Sequence, residues 1–204
     1  EGGAGSVSGD EIVFGVEVTQ KVPVWLRLSA IDVPGHGSSP RATTSVLRIV
    51  EALNRIKENP FEPRIIPAVD AYFSGLAVSM DDDWAPAYAD MARAITDPEF
   101  LPALQDFRPG HHALTRDICS ITRMGGSSKI NTIPPEAWAE LDCRMLPDRP
   151  AEELIADIEA LLEGTGVEID VIMAFTPAIS STNSTLFESI VNVTGELYPG
   201  SRVL

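Results

Sequence analysis

The sequence is poor in basic residues, and this scarcity excludes two classes of binding partner. Lys and Arg number 15 against 30 Asp and Glu, which gives a formal net charge of −15 over 204 residues. A chain this acidic lacks the cationic surface that nucleic-acid phosphates and anionic membranes attract. Hydrophobic residues nevertheless make up 44% of the chain. This content argues against intrinsic disorder. The length of the chain suits one large domain or two small ones.

Cysteine is also scarce, with Cys119 and Cys143 as the two in the chain. Two cysteines are too few for a disulfide framework, and no Cys-x-x-Cys pair exists to build a zinc site from thiolates. The sequence leaves open whether the two lie side by side, and a reducing compartment would keep them as thiols.

Signals for membranes, export and common cofactors are missing too. No apolar run approaches the about 18 residues needed to cross a bilayer, and residues 1–6 have neither the basic nor the apolar region of a signal peptide. Walker, dinucleotide-binding, serine-hydrolase and His-Glu-x-x-His motifs do not occur. Because the chain does not begin with Met, we expect a fragment of a longer protein, which we expect to be cytoplasmic.

Five segments carry patterns typical of β-strands. Residues 24–32 and 137–145 alternate apolar with polar side chains, the period of a half-buried strand. Short apolar runs predict three further strands at 11–18, 118–124 and 167–171. The glycine-rich residues before the first of these predict a loop.

The first predicted helix follows a turn around His36. Ser39 suits the N-cap and Pro40 the first helical position, and Asn59 with the following proline ends the helix. Its apolar stripe consists of Val46, Ile49, Val50, Leu53 and Ile56.

Two more amphipathic helices are predicted in the second half of the chain. One begins near Asp148 or Arg149, which would stand close to the N-cap, and ends before Gly164, a suitable C′ residue. The other covers about 186–197 and stops at Tyr198 and the proline and glycine that follow it.

Prolines interrupt residues 60–115, where two short helices are predicted near 85–95 and 98–106. No continuous amphipathic core pattern is visible there, so we interpret this stretch as an insertion rather than a separate domain. The element order is then β-α-insertion-β-β-α-β. This order predicts an α+β fold, a ferredoxin-like split β-α-β sandwich whose antiparallel sheet carries two helices on one face.

The polar residues that could carry chemistry have two interpretations each. His36, between glycines and before a helix, is favoured as a neutral hydrogen-bond donor, but it also suits a surface turn. Asn131 suits a turn in the left-handed region. Arg144 suits either a carboxylate clamp or a weak cross-strand ion pair. His111 and His112, in the insertion, are assigned packing or surface roles.

Taken together, three motifs are similar to those of one family. Residues 34–40 (Pro-Gly-His-Gly-Ser-Ser-Pro), 125–134 and 141–147 (Leu-Asp-Cys-Arg-Met-Leu-Pro) resemble the lid, or dimerisation, domain of the aminoacylase/carboxypeptidase family of dinuclear zinc peptidases. That family includes succinyl-diaminopimelate desuccinylase and acetylornithine deacetylase. The long insertion is similar to the branch that contains carboxypeptidase S and N-acyl-amino-acid hydrolases.

The resemblance implies boundaries for the parts of the chain. Residues 23–175 would be the lid, with its insertion at about 60–115. Residues 1–22 and 176–204 would be pieces of an α/β catalytic domain.

The resemblance also implies a role for each matching residue. His36 would polarise the scissile carbonyl oxygen, in dimeric members usually in the active site of the partner subunit. Asn131 would help to hold the substrate, and Arg144 would bind its carboxylate. Glu1 matches a terminal zinc ligand. The other ligands and the general base of the family lie outside this chain, so we expect the fragment alone to be inactive and not to hold the two zinc ions.

The parent protein is therefore expected to be a zinc-dependent hydrolase that cleaves N-acyl amino acids or C-terminal peptide bonds. Its partners would be a small-molecule or peptide substrate with a free carboxylate and a second copy of the lid. The alternative is a non-enzymatic ferredoxin-like module that dimerises or binds a small molecule. Family lids usually pair through the edge strand and the first helix. The alternative is that the insertion covers that surface, and His36 would then act within its own subunit.

Overall fold

The computed structural model describes residues 5–8, 11–80 and 82–204. The chain divides into two compact units. The sheet unit consists of residues 21–62 and 117–177. The helical unit consists of the described residues up to Gln20 together with 63–116 and 178–204. The segment predicted as an insertion therefore lies almost wholly in the same unit as the two ends of the chain.

The strands in chain order are β1 (Gly5–Ser8), β2 (Glu11–Phe14), β3 (Val22–Ile31), β4 (Gly35–His36), β5 (Ile118–Gly125), β6 (Thr132–Ile133), β7 (Glu136–Met145), β8 (Glu168–Ala174) and β9 (Arg202–Val203). The helices are α1 (Ser45–Glu58), α2 (Pro67–Ala77), α3 (Ala85–Ala89), α4 (Met91–Ala94), α5 (Phe100–Phe107), α6 (Pro109–Ala113), α7 (Ala151–Leu162) and α8 (Thr185–Leu197).

The sheet unit has the predicted ferredoxin-like topology. Its four antiparallel strands are ordered β5-β7-β3-β8, and β3 pairs with β7 over their whole length, from Val22 opposite Met145 to Ile31 opposite Glu136. One face of this sheet packs against α1 and α7 in a single hydrophobic core. The strand periodicity is confirmed, because alternate residues of β3 and β7 are buried: Val24, Leu26, Leu28, Ala30, Ala137, Ala139, Leu141, Cys143 and Met145.

The start of α1 differs from the prediction. Thr44, rather than Ser39, is the N-cap, and its hydroxyl accepts a hydrogen bond from the Leu47 amide at 3.2 Å. Residues 37–44 form a turn and a loop between β4 and the helix. The predicted end of the helix is confirmed, since Asn59 is the C-cap.

The predicted start of α7 is confirmed, since Arg149 directly precedes the N-cap Pro150, although no side chain caps the helix. The Arg149 side chain instead donates to Asp117 at 2.8 Å and to Asp157 at 2.7 Å. The predicted end is confirmed: Gly164 follows the C-cap with a φ of 79°, in the left-handed region that glycine adopts without strain.

Cys119 and Cys143 lie directly opposite each other in β5 and β7 and form a disulfide. The sequence had left their pairing open. The bond joins the edge strand of the sheet to its neighbour.

The helical unit contains more regular structure than the sequence predicted. Gly5–Ser8, expected as loop, is β1 and pairs antiparallel with β2, which ends at Phe14 rather than at residue 18. The short strand β9 pairs parallel with β2. The predicted last helix is present as α8, with Ser184 as its N-cap.

Residues 63–116 form five short helices where two were predicted, and they surround a core of their own. Phe73, Tyr88, Met91 and Leu104 are fully buried there. These buried side chains form a core although no continuous amphipathic pattern is visible in the sequence of this stretch. Helices α2 to α5 contribute one or two of these buried residues each, which is too few for a helical period to be visible. None of the described helices is long and apolar enough to cross a lipid bilayer.

Candidate functional site

Backbone pairing brings His36 and Asn131 together although 94 residues separate them in sequence. In the two-stranded ladder β4-β6, Gly35 lies opposite Ile133 and His36 opposite Thr132. The Gly37 amide then donates to the Asn131 carbonyl at 2.8 Å. A Cβ on Gly37 would lie 3.4 Å from that carbonyl oxygen, an ordinary van der Waals contact.

The imidazole of His36 is exposed, and its contacts are on one side of the ring. Its Nδ1 lies 2.8 Å from the Ser38 hydroxyl and accepts from the Ser38 amide at 3.2 Å. The Ser39 amide donates to the His36 carbonyl at 3.0 Å and closes the turn. The ring is therefore held by the turn that follows it, as a residue presented to a ligand requires.

The loop that carries His36 is fastened at its base by residues that the sequence analysis did not single out. Arg41 donates to the Val33 carbonyl and lies 4.0 Å from the Asp32 carboxylate. Arg48 approaches the same carboxylate at 3.4 Å. These contacts form when the loop closes and connect residues up to 16 positions apart in the chain. No periodic pattern in the sequence indicates them.

Asn131 lies at an exposed tip of the hairpin and does not adopt the left-handed backbone that the sequence suggested, because none of the described non-glycine residues has a positive φ. Its neighbour Ile130 is fully exposed.

Arg144 lies on the polar face of β7, opposite the helices. Its Nε and Nη2 donate to Asp142 at 2.8 and 3.2 Å, and Trp25 Nε1 donates to the same carboxylate at 3.0 Å. The ion pair is thus formed within one strand rather than across two. Both charged side chains are about one-third or more exposed, so the guanidinium remains accessible to an anion.

A second group of charged residues covers the middle of the same face. The Glu140 carboxylate accepts from Arg27 at 3.0 Å and from Arg123 at 2.7 Å. Both guanidinium groups lie over the Trp138 ring, 4.3 and 5.5 Å from its centroid. Gly125 lies beneath this ring, where a Cβ would come within 2.7 Å of it. The alternation of polar and apolar residues in the strands predicted that this face of the sheet is polar, but it did not predict these ion pairs and ring contacts.

The sheet separates His36 from Arg144. Arg144 lies opposite Pro23 at one end of β3, whereas the hairpin with His36 follows the other end, where Ile31 lies opposite Glu136. Eight residue steps along β7 correspond to about 27 Å. A single amino-acid-sized ligand cannot contact both side chains of one chain.

The described residues do not contain a metal centre. Glu1, the predicted zinc ligand, lies outside them. Among the described residues no group of three or more His, Cys, Asp or Glu side chains could hold a metal ion. They do not fit a zinc pair, so we derive no chemical step from a metal.

The other two histidines belong to the helical unit and pack there. His112 is buried, and His111 Nδ1 lies 2.5 Å from the Tyr88 hydroxyl. Burial, followed by the nearby Arg108 guanidinium, lowers the pKa of His111 below its ordinary value. Both results agree with the packing role assigned to them from the sequence.

The edge of the sheet unit exposes an apolar surface that we call the α1/β5 patch. The members of the patch on α1 are half-exposed. Its members on β5 lie opposite core residues of β7, and they are therefore on the face of the sheet that carries the helices. The patch consists of Val46, Leu47, Val50, Ile121 and Met124. Val46 and Val50 had been predicted to face the core. The Val46 side chain lies near Gly126 at the end of β5, so the helix and strand parts are adjacent.

Comparison with known proteins matches the chain to one family. The model of the peptidase dimerisation domain matches residues 18–170. The chain is 28% identical over 171 residues to an N-fatty-acyl-amino acid synthase/hydrolase of Xenopus tropicalis, covering 82% of this chain and 32% of that protein. It is 24% identical over 190 residues to a probable carboxypeptidase S-like protein of Dictyostelium discoideum, covering 92% and 36%. The chain thus spans about a third of the length of these curated relatives.

Solved structures share the fold. A metallo-carboxypeptidase of the M20 family from Sulfolobus solfataricus superposes with a TM-score of 0.55 at 16% identity, over 92% of this chain and 52% of that chain. The aminopeptidase PepT of Bacillus cereus superposes with a TM-score of 0.56 at 8% identity, over 93% and 39%. At these identities the likeness shows the fold alone.

Proposed function

Because this chain belongs to the family of peptidase dimerisation domains, we propose that it is the lid and dimerisation part of a metal-dependent hydrolase. The substrate would be an N-acyl amino acid or a peptide with a free C-terminal carboxylate, and zinc is the expected metal. Similarity to an N-fatty-acyl-amino acid hydrolase and to a carboxypeptidase S-like protein supports this substrate class. Residues 23–175 form the lid with its insertion, and the flanking residues belong to the catalytic domain. The metal is held by residues other than the described ones.

The lid pairs with a second copy through the α1/β5 patch. Among the described strands β5 pairs on one side only, with β7, so its other edge is open to a partner strand. The half-exposed apolar residues beside this edge would be covered in the pair. A two-fold axis perpendicular to the sheet would set the two β5 strands antiparallel and form one continuous sheet.

The observation that carries the proposal is the position of His36 and Arg144 at opposite ends of this sheet. Strand β5 begins opposite Arg144 and ends opposite Trp138, near the end of the sheet that carries the His36 hairpin. Antiparallel pairing of two β5 strands therefore brings Arg144 of one subunit to the same end of the combined sheet as His36 of the partner subunit. One ligand would then be contacted by both.

The chemistry of the two groups suits opposite ends of such a ligand. The Arg144 guanidinium presents donors to the substrate carboxylate. A neutral His36 imidazole donates a hydrogen bond to the carbonyl oxygen, and this contact strengthens as negative charge develops there during attack. Asn131, beside His36 on the hairpin, adds a further polar contact to the substrate. The exposed Ile130 at the tip is covered by the ligand or by the partner.

Subunit complementation tests this arrangement directly. Full-length His36→Ala and Arg144→Ala proteins are each expected to lose most of their turnover. When the two are co-expressed, each mixed dimer has one centre with an intact Arg144 and an intact histidine from the other subunit. Random mixing makes half of the dimers mixed, so about a quarter of wild-type activity should return.

No recovery, with mixed dimers present by mass spectrometry, would show that both residues act on the same subunit's centre. If the wild-type protein turns over substrate and neither substitution lowers its rate, both residues would be removed from the mechanism. Binding of a carboxylate ligand without any hydrolysis would favour the non-enzymatic module instead.

The dimer surface is tested by Leu47→Glu, which places a charge in the α1/β5 patch. We expect the dimer to dissociate, since burial of an unpaired carboxylate is strongly unfavourable. Leu186→Glu on α8 is the control, because it changes another exposed leucine that lies outside the patch. Light scattering after gel filtration gives the mass of each variant, and a dimeric Leu47→Glu protein would contradict the assignment of the patch.

A further inference from the structure

The donor role proposed for His36 depends on which ring nitrogen carries the proton. A neutral imidazole has one N–H donor and one bare acceptor nitrogen, and a hydrogen bond at one nitrogen settles the role of the other. Among the described residues, the contacts of the His36 ring are all at Nδ1. The neighbours of Nδ1 therefore decide what Nε2 can do.

The Ser38 amide identifies Nδ1 as the acceptor. A backbone N–H can only donate, and that of Ser38 donates to His36 Nδ1 at 3.2 Å. The Ser38 hydroxyl, 2.8 Å from the same atom, can donate as well. A proton on Nδ1 would face the amide hydrogen, so the neutral ring keeps its proton on Nε2.

The geometry of the loop makes this contact persistent. The ladder β4-β6 and the bond between the Gly37 amide and the Asn131 carbonyl hold the backbone on one side of the turn. Arg41 closes the loop at its base through the Val33 carbonyl. His36 and Ser38 therefore sit on a short, doubly fastened turn, and the free nitrogen projects away from it.

We infer that Ser38 is a positioning residue that holds His36 in the Nε2–H tautomer, so that the hydrogen bond to the substrate carbonyl comes from Nε2. This inference rests on the proposed function for the role of that hydrogen bond, but the tautomer itself is a property of the turn. Ser38 thus becomes part of the site through its backbone amide and its hydroxyl, both of which contact the imidazole. Ser38 acts through His36 and does not touch the substrate.

The tautomer is tested by NMR of the full-length protein with isotopically labelled histidine ring nitrogens, recorded at alkaline pH. The signals missing from the His36→Gln spectrum identify His36. We expect a protonated Nε2 and a bare Nδ1 in the wild type, and a partial shift toward the other tautomer in Ser38→Ala. A protonated Nδ1 in the wild type would overturn the inference.

Kinetics provide the second test. Loss of one neutral hydrogen bond predicts a kcat about two- to tenfold lower in Ser38→Ala, with KM unchanged and the rate restored in Ser38→Thr, which keeps the hydroxyl. Ser39→Ala is the matched control, because its retained backbone amide makes the turn contact. A Ser38→Ala protein with wild-type kcat and an unchanged tautomer would refute a positioning role for the hydroxyl.

Comparison of His36→Gln with His36→Asn shows which nitrogen works. The Gln amide reaches the position of Nε2, whereas the Asn amide reaches only that of Nδ1, so Gln should retain more turnover. The reverse order would overturn the inference. If His36→Ala leaves turnover intact while NMR still shows the Nε2–H tautomer, the proposed function fails and the tautomer assignment stands.

Discussion

Replacement of Asp117 by alanine should destabilise the sheet unit more than any change of a surface charge. The Asp117 side chain is completely buried, although it is charged. Its Oδ1 accepts from the Leu146 amide at 2.6 Å, and its Oδ2 accepts from Arg149 Nη2 at 2.8 Å and Nε at 3.2 Å. The carboxylate thus joins the start of β5 to the turn between β7 and α7.

The size of the effect follows from what the substitution leaves behind. The Leu146 amide is in a buried residue, and an unsatisfied buried donor costs about 1 to 3 kcal/mol. Arg149, 20% exposed, loses the fully buried partner of its ion pair. Breaking a buried pair on one side typically costs about 3 to 5 kcal/mol, and these contributions overlap. We therefore expect Asp117→Ala to lower the free energy of unfolding by about 3 to 5 kcal/mol.

Asp157→Ala is the matched control, because it removes the other carboxylate bound to Arg149. Asp157 is 50% exposed, so solvent screening limits its ion pair to about 1 kcal/mol or less. Asp117→Asn, which keeps an oxygen for the Leu146 amide but removes the charge, should fall between the two.

Urea unfolding followed by tryptophan fluorescence measures these differences. Trp25 and Trp138 belong to the sheet unit, so a Trp84→Phe background removes the signal of the helical unit. If Asp117→Ala proved no more destabilising than Asp157→Ala, the reasoning that burial determines the strength of this ion pair would be refuted.

Two further predictions concern one residue in each unit. The lowered pKa of His111 means that the unfolded state binds its proton more tightly, so stability should fall as pH drops below about 6.5. His111→Asn, which keeps an acceptor for Tyr88, should flatten this dependence in thermal unfolding measured between neutral and acidic pH; parallel curves would contradict the assignment. In Gly125→Ala the new Cβ would meet the Trp138 ring at 2.7 Å, so a loss of about 1 to 3 kcal/mol is expected in urea unfolding. Gly110→Ala, with nothing within 4 Å, should cost nothing, and equal effects would exclude a steric cause.

The regular parts of the sheet unit were predictable because their periods are simple. The alternation in β3 and β7 and the stripes of α1 and α7 each repeat over ten or more residues, and one face of each is buried. Where the pattern was short, prediction was weaker. Thr44 rather than Ser39 is the N-cap, because it is the Thr44 hydroxyl that accepts from a free amide of the first helical turn, that of Leu47.

The helical unit shows the opposite case. Each of its helices between residues 63 and 116 has at most 11 residues, and several begin or break at proline. Their buried side chains, among them Phe73 and Tyr88, come together from different helices. A periodicity search within one segment cannot detect a core assembled in this way.

For the candidate site, too, some features could be predicted from the sequence and others could not. The sequence alone determined the ferredoxin-like order of elements and singled out His36, Asn131 and Arg144, since these depend on local pattern and on motifs in chain order. Only the tertiary structure decided that His36 lies beside Asn131, that Arg144 lies at the opposite end of the sheet, and that Ser38 faces the imidazole. The first two relations depend on strand register, which joins residues far apart in the chain, and the third depends on the conformation of a turn; none of them leaves a periodic trace in the sequence.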